Sequence, residues 1–206
     1  MDRILTLASN SPRRRQLLAF GGWTFDVRPV VIDETPLPGE RPPDYVERIA
    51  LAKAAGAFGV HAQGVNAAES LPPGCIAVAA DTTVADGDDI LGKPDGPEQA
   101  AAMLRRLRGR WHEVITAVAA VDAATGREAA EAVITRVQMR TYTDADIAAY
   151  VATGEPLDKA GAYGVQERGA ALVAGISGSY SNVVGLPVDE TRRLLEAFGV
   201  LTSARP

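Results

Sequence analysis

Six consecutive apolar residues, Cys75-Ile76-Ala77-Val78-Ala79-Ala80, constrain the chain most. A strand with no polar residue on either face is a central strand, of the kind found in sheets covered on both sides. Asp81 follows directly, and a carboxylate at the end of a buried strand stands where open α/β sheets bind their ligands. A helix cap or turn is the other use of such an aspartate. Val84-Ala85 continues as strand, however, and Asp86-Gly87-Asp88 reads as a hairpin turn. Ile90 to Pro94 is the return strand, which brings Lys93 back toward Asp81. An acid and a base so placed form either a surface ion pair, worth about 0–1 kcal/mol, or part of a site for a metal-bound triphosphate.

A second constraint lies at the start of the chain. Ile4 to Ala8 is a short apolar strand, and Ser9, Asn10 and Ser11 follow as a small polar turn. Pro12 fits the first helical position with Ser11 as N-cap. Arg13, Arg14 and Arg15 then occupy the first turn, where the helix end already carries about half a positive elementary charge. Three cations there repel one another unless an anion sits among them. The choice is between a solvated basic helix start and a phosphate site. The net charge of −5 leaves no global field to hold nucleic acid, so a basic local site points to a small anionic ligand. The single cysteine excludes an intrachain disulfide and suits a reducing compartment. No leader-like segment precedes Ile4 and no apolar stretch approaches the ~20 residues of a membrane span, so a cytoplasmic protein without a membrane partner is expected. A length of 206 residues suits one domain, or two small lobes around a cleft.

The rest of the chain alternates between strands and helices. Trp23 to Val31 is expected to be a strand, running into Asp33 and Glu34 on a loop, either as a solvated turn or as metal or water ligands. Pro43 to Phe58 is a helix with Lys53 on its apolar stripe of Val46, Ile49, Ala50 and Ala57; the lysine either snorkels outward or meets an anion in a cleft. His61 to Gly74 reads as a surface loop with His61 exposed. Pro97 to Arg108 is a helix closed by Gly109, and Glu113–Val121 and Glu131–Arg140 form a long hairpin. Thr143 caps a short helix to Val151. Glu155 to Gln166 is a long irregular loop dense in functional groups, Ala170 to Val173 a strand, Gly175 to Gly185 a second irregular loop, and Val188 to Phe198 the last helix. This order predicts an α/β fold with a mixed sheet.

Leu7-Ala8-Ser9-Asn10-Ser11-Pro12-Arg13-Arg14, Ala80-Asp81-Thr82, Gly92-Lys93-Pro94, Asp158 to Gln166 and Gly185-Leu186-Pro187 occur in that order. Together they resemble the Maf family of nucleoside triphosphate pyrophosphatases, over roughly Leu5 to Leu195. The resemblance implies hydrolysis between the α and β phosphates, with Mg²⁺ or Mn²⁺ as cofactor. It implies an elongated mixed β-sheet flanked by helices with a central cleft, the fold of inosine triphosphate pyrophosphatases, often dimeric. Asp81 matches the family's proton acceptor, and Ser9, Arg13, Arg14, Glu34, Lys53 and Lys93 match its phosphate and metal site. The metal ligands implied are Glu34 and Asp81. Arg13, Thr82 and Gln166 resemble the branch that cleaves dTTP and UTP rather than 7-methyl-GTP. A Gln amide can both donate to and accept from the O4/N3–H edge of thymine or uracil, whereas a carboxylate only accepts. Two positions depart from the pattern: Val133 stands where many members carry Glu, and Ala117 replaces a frequent Gly. House-cleaning of nucleotide pools and a role in arresting division are the implied biology. Modified pyrimidine nucleotides as substrates, or nucleotide sensing without turnover, are the alternatives.

Overall fold

The computed structural model describes residues 3–59, 71 and 74–202; most of the expected His61–Gly74 loop, His61 included, lies outside the described residues. The described chain is α/β, with a mixed seven-stranded sheet and six helices. The strands are β1 (Ile4–Leu7), β2 (Asp26–Val27), β3 (Cys75–Asp86), β4 (Asp89–Leu91), β5 (Trp111–Asp122), β6 (Glu128–Met139) and β7 (Val173–Ser177). The helices are α1 (Pro12–Phe20), α2 (Pro42–Gly56), α3 (Pro97–Leu107), α4 (Asp144–Val151), α5 (Tyr180–Val184) and α6 (Val188–Ala197). Hydrogen bonding runs in the order β2-β1-β3-β5-β6-β7, with β4 on β3. β1 lies parallel to β2 and β3, while β4 and β7 run antiparallel to β3 and β6. Among the described residues no helix is long and apolar enough to cross a membrane.

The chain sorts into two compact units, and β3, β5 and β6 each contribute to both. The first comprises residues 1–81, 116–133 and 185–206. Its core gathers Leu7, Leu18, Ile76, Val78, Val118 and the buried side of α6, Leu194 and Leu195. The second comprises residues 82–115 and 134–184 and is centred on Val84, Leu104, Leu107, Met139, Ile147 and Tyr163.

β3 is apolar on both faces as far as Ala80, and then continues through Asp81 to Asp86. Asp81 therefore stands within a strand and not at its end, as the abrupt change in polarity suggested. Successive side chains of a strand face opposite ways. Ile76, Val78, Ala80 and Val84 enter the two cores, which turns Asp81 to the other face and Thr82 to theirs. α1 begins as predicted: Ser11 is the N-cap, its side chain accepts from Arg14 N, and Pro12 opens the helix. α4 carries the full capping box between Thr143 and Asp146.

Four further expectations fail. Of Trp23–Val31 only Asp26–Val27 is strand: Arg28 N still donates to Leu7 O at 2.9 Å, but β1 ends at Leu7 and offers nothing further to pair with, and Val31 is exposed. Residues 168–172 form a 3₁₀ turn, and the strand starts at Val173. The expected loop from Gly175 to Gly185 is instead the end of β7 and α5, with Ser179 Oγ accepting from Asn182 N at the helix start. The return strand after the hairpin stops at Leu91, so Lys93 lies beyond it.

Candidate active site

Within the first unit, five of the residues singled out in the sequence converge. Lys53 projects from α2 and its Nζ lies 2.8 Å from Asp81 Oδ1 and 2.7 Å from Glu34 Oε1. Lys53 and Asp81 are buried, with side chains 10% and 8% exposed, whereas that of Glu34 is 47% exposed. The lysine thus does not snorkel outward. Its place on the apolar stripe aims the ammonium at the carboxylate presented by β3.

Asp33 and Glu34, left equal by their local chemistry and told apart only by the family resemblance, separate here. Asp33 accepts from Thr35 N at 2.9 Å and closes a turn, and the Thr35 hydrogen bonds hold its carboxyl below the usual range. Glu34 is the one that meets the lysine.

The Ser9–Arg14 turn forms the cationic side. Ser9 Oγ accepts from Ser11 N at 3.2 Å and from Arg14 Nη1 at 3.4 Å, and Arg14 Nε donates to Gly185 O at 3.0 Å. Arg14 is thereby tied to the Gly185-Leu186-Pro187 motif, far away in sequence. Burial pushes the Arg14 guanidinium below its ordinary value, Asp81 and Glu34 draw it back up, and Arg13 lowers it further. Both carboxylates and the neighbouring arginine are therefore within its electrostatic reach. Arg13 is half-buried and Arg15 exposed, its Nη2 donating to Asn10 O.

Two residues escaped the sequence reading. Tyr45 OH donates to Glu34 O at 3.0 Å, and burial together with Asp81 and Glu34 pushes its hydroxyl up beyond the normal phenol range. Arg48 donates to Thr35 O and to both carboxylate oxygens of Glu40, bracing the loop that carries Glu34. Tyr45, Ile49 and Lys53 follow at helical spacing along one face of α2, and that spacing was the available signal.

The second unit holds Thr82, Lys93 and Gln166. Thr82 is half-buried on β3, Lys93 exposed beyond β4, and Gln166 exposed on a bend between two 3₁₀ turns. Gly161 N donates to Gly92 O at 3.1 Å, joining the Asp158–Gln166 motif to the Gly92-Lys93-Pro94 motif. Gly161 has a φ of +66°, and a Cβ there would sit 2.7 Å from Val84 Cγ2. Only glycine fits. Ala162 follows, fully buried and also at positive φ (62°), a conformation that costs a non-glycine residue about 1 kcal/mol or more. Of the two departures from the family pattern, Ala117 is fully buried on β5, as a packing change requires, and Val133 is half-buried on β6.

Among the described residues no three His, Cys, Asp or Glu side chains cluster so as to hold a metal ion. Two carboxylate oxygens do converge, on Lys53 Nζ. This donor set suits Mg²⁺ or Mn²⁺ held by one or two carboxylates and completed by substrate phosphates, rather than an all-protein cage.

An α/β sheet presenting a buried lysine–aspartate pair, joined by an exposed glutamate, beside a serine–arginine turn at a helix start describes a phosphate-handling protein. The chain belongs to the Maf family: the family described as Maf-like protein matches residues 4–198. It is 50% identical over 196 residues to a dTTP/UTP pyrophosphatase of Moorella thermoacetica, covering 95% of each chain. It is 48% identical over 198 residues to one of Myxococcus xanthus, covering 96% of this chain and 93% of that one. It is 46% identical to one of Hahella chejuensis, over 96% of this chain and 94% of the other.

Proposed function

We propose that the chain hydrolyses dTTP and UTP at the α–β anhydride, giving dTMP or UMP and pyrophosphate. The observation that carries this is the Lys53 bridge between Glu34 and Asp81, with Arg14 in electrostatic reach of both carboxylates. The full-length similarity to proteins named dTTP/UTP pyrophosphatase supports the substrate.

In this mechanism Arg13, Arg14, Lys53 and Lys93 meet the charge of the triphosphate and of the departing pyrophosphate, and Ser9 orients a phosphate oxygen. Asp81 takes a proton from the attacking water; the water oxygen bonds to phosphorus and the bridging oxygen leaves with the pyrophosphate. A divalent cation, when bound, would be held by Glu34 and Asp81 and would neutralise phosphate charge. Gln166, with Arg13 and Thr82, selects the base, the amide pairing with the O4/N3–H edge. Clearance of free nucleotides in the cytoplasm is part of the proposal, and a chain of net charge −5 is given no nucleic-acid partner.

The test is pyrophosphate release from dTTP, UTP, CTP, GTP and 7-methyl-GTP, with Mg²⁺ or Mn²⁺ and with EDTA as control. Metal-dependent cleavage confined to dTTP and UTP is expected. Asp81→Asn, nearly isosteric, should lose about 10²–10⁴ in turnover while its thermal transition remains cooperative. Tight dTTP binding with no pyrophosphate released would establish a nucleotide sensor instead.

A further inference from the structure

Gln166 sits on a bend with its side chain exposed, outside any regular element. An amide on a loose loop discriminates poorly, because a wrong base simply moves it aside; selectivity needs a polar group that cannot relax. The structure shows what holds this one. Glu155 accepts three hydrogen bonds on one carboxylate: Arg168 N to Oε2 at 3.1 Å, Gly169 N to Oε1 at 3.1 Å, and Tyr150 OH to Oε1 at 2.9 Å. Two of these donors are the backbone amides two and three residues after Gln166.

The other side of the bend is tied as firmly. Tyr163 OH and His112 Nε2 are 2.6 Å apart, both residues are buried, and the rings meet edge to face. Tyr180 OH donates to Val165 O at 3.3 Å. A Cβ on Gly169 would lie 2.5 Å from Gly164 O and from Tyr150 OH, so the two ends of the bend are in contact and no other residue fits at position 169.

We infer that Glu155 is a positioning residue for base selection: it clamps the far end of the Gln166 bend and thereby sets discrimination among nucleotides. This rests on the proposed reading of Gln166 as the group that meets the base.

Steady-state kinetics on dTTP, UTP and CTP, for the full chain, Glu155→Gln, Tyr150→Phe and Gln166→Ala, test it. The amide of Glu155→Gln keeps one acceptor oxygen and presents an NH₂ donor where the other carboxylate oxygen accepts a backbone N–H. The dTTP-over-CTP ratio of kcat/KM should then fall about tenfold, the scale of one charge-assisted hydrogen bond. The fall should come through a raised KM for dTTP, with kcat within about threefold. Tyr150→Phe removes one bond to Glu155 and leaves the backbone pair. It should move the ratio the same way by less, and it serves if Glu155→Gln does not fold. A collapsed ratio in Gln166→Ala with unchanged ratios in both clamp variants would overturn the positioning role alone. An unchanged ratio in Gln166→Ala would overturn the reading of Gln166 and this inference with it. A fall in kcat of equal size on all substrates would reduce Glu155 to general scaffolding and overturn it as well.

Discussion

Replacing Lys53 by Met is the most informative perturbation of the first unit. Met keeps the aliphatic stem on the α2 stripe and deletes the ammonium that lies 2.8 Å from Asp81 and 2.7 Å from Glu34. The two carboxylates do not suffer equally. Glu34 is nearly half exposed and is rehydrated at little cost. Asp81 is buried, and removing the partner of a buried charge costs about 3–5 kcal/mol. Arg14 stays within electrostatic reach of Asp81, which places the loss at the lower end, about 3 kcal/mol. At about 2–4 °C per kcal/mol for a chain of this size, the melting temperature should fall by about 6–12 °C. Mn²⁺ supplies the missing positive charge. Added without nucleotide, it should recover part of that loss in Lys53→Met, up to about 2.7 kcal/mol at a hundredfold excess over its Kd. Wild type should shift much less, since Lys53 already occupies both carboxylates. Thermal unfolding of both proteins, with and without Mn²⁺, is the assay. A Lys53→Met variant within about 1 kcal/mol of wild type, or equal Mn²⁺ shifts in the two, would refute the reasoning.

Two further predictions concern the second unit. Burial drives the His112 imidazole down to about 4 from 6.5, against a smaller upward pull from Asp86, so the folded state keeps it neutral where the unfolded chain binds a proton. Stability should therefore be lost as pH falls from about 6.5 to about 4, by roughly 3 kcal/mol, and His112→Phe should lack that part of the slope in urea titrations across the range. Gly161→Ala adds a Cβ 2.7 Å from Val84 in a left-handed conformation, and should destabilise by about 2–4 kcal/mol, read as a lower urea midpoint at unchanged slope.

What could be read from the sequence is what short-range chemistry decides. The Ser11-Pro12 helix start and the Thr143–Asp146 capping box are local hydrogen-bond patterns, and both are present. The apolar run from Cys75 marks its own strand, but Asp81 does not end it, because ladder hydrogen bonds are made by backbone and are indifferent to one polar side chain. Asp33 and Glu34 could not be told apart by their own chemistry, and only the resemblance favoured Glu34, since one bonds locally to Thr35 and the other meets a lysine that only tertiary structure brings near. The residues after Gly175 read as a glycine- and serine-rich loop, yet Gly175, Ile176 and Ser177 pair with Gln138, Val137 and Arg136 of β6, so pairing overrides local preference. Glu155 had no local signature, since its partners are the phenol of Tyr150 and two amides more than a dozen residues downstream.

The interleaving of the two units along the chain has a consequence for synthesis. Every segment of the second unit is made by residue 184, while the first still awaits residues 185–206. Leu186, Leu194, Leu195, Phe198 and Val200 belong to the core of that first unit, and the carbonyl that holds Arg14 is that of Gly185. On the ribosome, the part of the protein that begins first is thus completed last. A nascent chain halted before Gly185 would expose the apolar faces of β1 and β3 and lack the support of Arg14. It would be a substrate for proteases before it could act on a nucleotide.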